Sequence, residues 1–134
     1  MDSPGLYTLG VVPITGAIAA SAGTQTPIVN LDGMTAVTLE VAFSYTSGGT
    51  TCSALIQTNF DGSTWRDIAR FDFTTAAGVK HCSLEGLLSK AVTAYAALAA
   101  EGVYDGVLGN SLRLVVSSTG TYVGAQISAR ASVR

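Results

Sequence analysis

The most regular stretch of the chain is "TAVTLEVAFSY", residues 35 to 45, in which Val37, Leu39, Val41, Phe43 and Tyr45 alternate with Thr38, Glu40, Ala42 and Ser44. Successive side chains of an extended chain point to opposite faces, so this alternation predicts a strand with one face buried. "SGG" at 47–49 interrupts it, and "TTCSALIQT" resumes the pattern with Cys52, Ala54 and Ile56 on one face. The two segments read as a hairpin. A second hairpin is expected where "NFDGS" separates that segment from "TWRDIARFDF", because Asp61-Gly62 supplies the positive-φ position of a short turn. Strict alternation there places Trp65, Ala69, Phe71 and Phe73 on one face and Arg66, Ile68, Arg70 and Asp72 on the other.

Further on, "VKHCSL" reads as a shorter strand, and "SLRLVVSS" places Leu112, Leu114 and Val116 together. "TGT" at 119–121 turns the chain, and "YVGAQISARASV" puts Val123, Ala125, Ile127, Ala129 and Val133 on one face. Between these elements, residues 85–110 lack one clean apolar stripe. "LLSKAVTAYAALAAEG" is composed of good helix formers, and either a short helix or a long, partly apolar loop is expected there. Residues 1–30 are spaced by Pro4, Pro13 and Pro27, which cannot donate to a central ladder, so they are expected as edge strands or an extended arm. The fold class expected is all-β: an antiparallel sandwich or barrel of about 6–8 strands over 31–134, with an N-terminal arm over 1–30.

Composition changes this picture at the surface. At 134 residues there is room for one domain, and only 12 % of the residues are charged while 48 % are hydrophobic, so the exterior must be unusually neutral. Glycine, Ser, Thr or a charge interrupts each apolar run short of the roughly 18 residues a spanning helix needs, and no membrane partner is expected. The N-terminus has no basic n-region followed by a compact apolar block, so the start reads as mature protein made in the cytoplasm. Net charge is −2 and the seven Lys and Arg are scattered, which excludes the basic footprint of a nucleic-acid binder. Cys52 and Cys82 have no CxxC spacing and read as buried thiols; no cofactor and no metal are expected.

Catalytic constellations are equally thin. "NFDGSTW" approaches an Asp-box, but Asp61 and Gly62 are adjacent and the motif occurs once, so a hairpin turn explains it. His81 is the only histidine, and its neighbour Cys82 should point to the opposite face of a strand. Asp67 and Asp72, five apart on one strand, should face opposite ways and cannot pair as a glycosidase acid and base. Gly102, Gly106 and Gly109 lack the strand, helix and Lys of a phosphate loop. The chain therefore reads as a non-enzyme. Its expected partner-binding residues are Leu6, Tyr7, Val11, Val12 and Ile14 on the apolar arm, with Arg66 and Arg70 on a stripe shared with Asp72.

The combination of "DGSTWRDIARFDF" with "LRLVVSSTGTY" resembles small structural proteins of tailed-bacteriophage virions, among them capsid decoration, or cement, proteins, over about residues 31 to 131. This resemblance implies a symmetric virion component, a homotrimer seated on the major capsid protein at the capsid surface. A tail-tube or head–tail joining subunit would need the same β body. From another class, a carbohydrate-binding sandwich would use Trp65, Tyr95, Tyr104 and Tyr122 as stacking faces.

Overall fold

The computed structural model describes residues 4–134 and is all-β, with antiparallel sheets in a sandwich-like arrangement. Seven long strands carry it: β1 (Gly5–Ile14), β2 (Ala36–Ser44), β4 (Thr51–Asn59), β5 (Trp65–Phe73), β6 (Gly78–Glu85), β8 (Leu112–Thr119) and β10 (Ala125–Val133). Three two-residue strands complete it: β3 (Ser47–Gly48), β7 (Gly102–Val103) and β9 (Tyr122–Val123). One sheet has the order β1-β10-β2-β6 and the other β7-β5-β4-β8. The faces that alternation assigned inward make the core: Val37, Leu39, Val41 and Phe43 from β2 meet Cys52, Ala54 and Ile56 from β4, with Leu114, Val116, Ile127 and Ala129 around them.

Although β2 and β4 are consecutive long strands, they lie in different sheets and do not form the expected hairpin. Gly48 and Gly49, with φ of 79° and 75°, carry the chain across the sandwich instead of back along β2. The β8 to β10 connection crosses in the opposite sense, and the β3–β9 pair ties the two crossings together. Tyr122 locks this end: its ring stands edge-on to Phe43 at 5.8 Å, its hydroxyl donates to the Thr74 carbonyl at 2.7 Å, and a Cβ on Gly49 would sit 2.2 Å from the ring. Gly124, at φ 65°, breaks the alternation before β10, so Val123 faces solvent and not the core face expected of it.

β4 and β5 do form the expected hairpin, closed by Gly62 at φ 82°. Its register shifts between Ile56 and Gln57: Ile56 opposes Ala69 while Gln57 opposes Asp67, leaving Ile68 as the extra residue of a bulge. One inserted residue reverses every side chain before it. Ile68 is buried, Trp65 and Asp67 turn to the outer face, and Arg66 is separated from Arg70 and Asp72. The expected faces of Trp65, Ile68 and Asp67 are thus corrected by a single bulge.

Residues 5–30 are part of this body. β1 is an edge strand on β10, with Leu9 and Ile14 in the core, and a register shift between Thr8 and Gly10. Residues 18–28 then run antiparallel along β8 through isolated bridges Ile18–Ser118, Thr24–Val115 and Ile28–Leu112. No helix forms in 85–110; apart from Glu85 at the end of β6 and from β7 the segment has no regular ladder. No helix among the described residues is long and apolar enough to cross a membrane.

Candidate interaction surface

The bulge places Asp67, Arg70 and Asp72 on the same outer face of β5, and that face holds the long segment 86–101. The Asp67 carboxylate accepts from Gln57 Nε2 at 2.8 Å and from the Leu98 amide at 2.9 Å, and the Asp67 amide donates to the Tyr95 hydroxyl at 2.9 Å. Arg70 donates through Nε to Asp72 at 2.9 Å and through Nη1 to the Leu98 carbonyl at 2.9 Å. Glu101 accepts from the Asp72 amide at 2.9 Å and from Lys80 Nζ at 2.6 Å. At the start of the segment Asp105 accepts from the Glu85 amide at 2.8 Å and pairs with Lys90 at 3.2 Å.

These are charge-assisted contacts, the stronger kind of hydrogen bond. The Lys80 ammonium, followed by the Asp72 amide, holds the Glu101 carboxyl below its ordinary range, and the Glu85 amide with Lys90 does the same for Asp105. Tyr104 adds a bond from its hydroxyl to the Ala96 carbonyl at 2.6 Å.

Apart from Ser89 and Thr93, the side chains that these anchors leave outside are apolar. Leu87 and Leu88 are exposed and Val92 is 101 % accessible, while Ala91, Ala94, Ala96, Ala97, Ala99 and Ala100 also face water. From Leu87 to Tyr95 no backbone amide or carbonyl is hydrogen-bonded to another described residue. A segment this apolar would normally turn its side chains into the body and leave its polar groups to water; here polar groups fix it and apolar ones are displayed.

The expected partner-binding residues separate on the structure. Leu6 and Val11 are exposed at 72 % and 50 % on the outer face of the first sheet, whereas Tyr7 and Val12 pack partly against the core and Ile14 is fully buried. Ile14 therefore cannot meet a partner; on the far side of the Thr8/Gly10 register shift its position points inward. Arg70 is committed to the 86–101 segment, and only Arg66 of the two arginines is open, lying 4.8 Å over the Tyr95 ring. Val79, opposite Ala42, is a further exposed apolar side chain on the outer face of the first sheet, which is also crossed by one row in which Arg130 opposes Glu40 and Glu40 pairs with His81 at 3.0 Å.

Other candidate chemistry does not assemble. Asp61 caps its own turn, accepting from the Ser63 and Thr64 amides at 2.9 and 2.7 Å, which lowers its carboxyl to about 2. Burial raises both thiols, Cys52 and Cys82, to about 11. Among the described residues no group of three or more His, Cys, Asp or Glu is placed to hold a metal ion. Of the four expected sugar-stacking rings, Tyr122 is in the core and Trp65 lies 4.3 Å beneath the Arg113 guanidinium. Tyr95 and Tyr104 stand 6.2 Å apart and line, with Phe60 and Arg66, a hollow of about 220 Å³.

Sequence reasoning singled out Arg70 but missed Asp67, Tyr95, Glu101 and Asp105 as the anchors of a displayed segment. The available signal was the failure of 85–110 to resolve into a helical stripe. Searches against protein-family models, curated proteins and solved structures found no match for this chain.

Proposed function

We propose that this protein is a structural subunit of a tailed-bacteriophage virion, of the capsid decoration type, which binds the major capsid shell and copies of itself and catalyses nothing. The observation that carries the reading is the 86–101 segment, which is held by carboxylates and tyrosine hydroxyls while Leu87, Leu88 and Val92 point into solvent. Burying a Leu or Val side chain contributes about 2 kcal/mol, and a segment already ordered by its own anchors loses little further entropy on docking. A surface with few charges also avoids the desolvation cost that buried, imperfectly paired ions would impose.

The resemblance of "DGSTWRDIARFDF" and "LRLVVSSTGTY" to virion decoration proteins supplies the kind of partner. The test is cosedimentation with phage heads that lack the protein. The native chain should pellet with them, and Leu88→Glu and Val92→Glu should not, with circular dichroism unchanged. Undiminished binding by both variants would overturn the reading. Truncation of residues 1–30 is a poor substitute, since it removes Leu9 and Ile14 from the core. Electron microscopy of the purified chain separates a decoration subunit from a tail-tube or joining subunit, which would form tubes or stacked rings. The carbohydrate reading is less favoured: the Tyr95 and Tyr104 hydroxyls are already bonded within the chain and leave few polar groups to orient a sugar.

A further inference from the structure

The β4–β5 turn, the start of β5 and the end of the displayed segment close round a hollow of about 220 Å³ whose walls include Phe60, Arg66, Tyr95, Tyr104 and Val107. Polar bonds elsewhere hold its aromatic walls in place. The Asp61 carboxylate, accepting from the Ser63 and Thr64 amides, fixes the turn that carries Phe60, and that side chain is 62 % exposed. Tyr95 is pinned where its hydroxyl accepts from the Asp67 amide at 2.9 Å, and Tyr104 where its hydroxyl donates to the Ala96 carbonyl at 2.6 Å; their ring planes stand at 62° to each other. Among the described residues Arg66 is the only charged one in the lining. The bulge at Ile68 turns it away from Asp72, which pairs with Arg70 instead, and no carboxylate of the described residues pairs with Arg66.

We propose that this hollow seats the aromatic side chain of an acidic segment of a protein partner, one in which a Phe, Tyr or Trp neighbours an Asp or Glu. The Arg66 guanidinium lies 4.8 Å over the Tyr95 ring, so stacking holds its plane while its N–H edge stays free to fork onto a carboxylate. The chain carries nine Asp and Glu against seven Lys and Arg, yet no acid lines the hollow, so an arriving carboxylate meets a cation and no like charge in the lining. The aromatic walls accept a further ring in edge or offset contact. At about 220 Å³ the hollow is smaller than the pockets that enclose a drug-sized ligand, which suits it to one side chain. Thr93 and Ala94 also line it, and the chain runs directly on to the exposed Val92; a free aromatic acid would leave that apolar surface wet, whereas a peptide segment covers it. A pocket of ordered aromatic and Arg side chains is where the binding energy of an interface concentrates. The inference rests on the docking role proposed above, whose partner chemistry it names, and not on that partner being a capsid protein.

The test is an amide-resolved NMR titration of the full chain with N-acetyl-Asp-Phe-amide. The Thr93 and Ala94 amides and the Arg66 Nε–H should shift together and saturate with a Kd of about 1 mM, the weak range expected of a single pocket. Removing the probe's carboxylate, as in N-acetyl-Asn-Phe-amide, should weaken binding about fivefold, the upper range for an ion pair at a surface. Arg66→Gln should erase that preference while keeping the affinity for the Asn probe, a pattern that general loss of structure does not give. Ala94→Phe, at an exposed position, should fill the hollow and abolish binding of both probes; if it misfolds, the Arg66→Gln comparison still decides. Absence of saturable shifts in the native chain overturns the proposal, as does equal binding of the Asp and Asn probes. So do the same shifts produced by methyl glucoside, which would make the hollow a sugar site, or shifts that grow with protein concentration alone, which would put a second copy there. A chain that binds the probe but does not pellet with heads sinks the capsid reading alone; a chain that pellets with heads and ignores the probe sinks the hollow alone.

Discussion

Asp67→Ala tests whether polar anchors are what hold the apolar segment outward. Asp67 is buried at 4 % exposure, and its carboxylate accepts from the Leu98 amide and from Gln57 Nε2. Hydrogen bonds to a charged group contribute about 1.5–3 kcal/mol each, and water can re-pair the Leu98 amide once the segment lifts, so a loss of about 2–4 kcal/mol is expected. At this chain length 1 kcal/mol corresponds to roughly 3–4 °C, which puts the fall in Tm at about 6–16 °C. Urea unfolding measures the loss, and hydrogen–deuterium exchange locates it: the Leu98 amide should exchange much faster while the β2 and β10 amides keep their relative protection. Asp67→Asn keeps the shape but has a single acceptor oxygen, and should lose about half as much. If Asp67→Ala leaves both the urea midpoint and Leu98 exchange unchanged, the anchoring reasoning is refuted.

Three other consequences can be checked independently. Gly23→Ala would set a Cβ 1.7 Å from the Val116 carbonyl oxygen, so the 18–28 segment must move away from β8; a loss of about 1–3 kcal/mol in urea unfolding is expected, and an unchanged midpoint would contradict the packing. With both thiols raised to about 11, a thiol reagent at pH 8 should react slowly with the native chain and rapidly with two equivalents after denaturation; one fast equivalent in the native state would place Cys82 in a more open setting. Asp61 has its folded value lowered to about 2 from 3.8, so its stabilisation of the turn is complete above 3.8 and lost as pH falls through about 2. The Ser63 and Thr64 amide resonances should titrate with a midpoint near 2, and a midpoint near 4 would rule out the capped turn.

Alternation made β2, β4, β8 and β10 legible, since Val37, Leu39, Cys52, Ile56, Leu114 and Ile127 are all in the core as their spacing requires. What alternation could not report is where the alternation itself is broken. Ile68 looks like any other strand residue, yet as the extra residue of a bulge it moves Trp65 and Asp67 to the outer face. Gly48 and Gly49 read as a hairpin turn, but whether a glycine pair returns a strand or carries it to the other sheet depends on contacts such as the one with Tyr122, seventy-odd positions away. Helix propensity in "LLSKAVTAYAALAA" is overridden by long-range anchors, Asp67 and Arg70 among them, that no local window contains. For the same reason the apolar arm residues were legible as β-prone, but the direction of Ile14 against Leu6 and Val11 was not.

The central claim is that Leu87, Leu88 and Val92 are displayed in order to be covered. Hydroxyl-radical footprinting of the purified chain over a dilution series measures this directly. The account predicts that these three side chains are protected at high concentration and become labelled together as the assembly dissociates. Equal labelling of all three at every concentration, with the core side chains protected throughout, would contradict it.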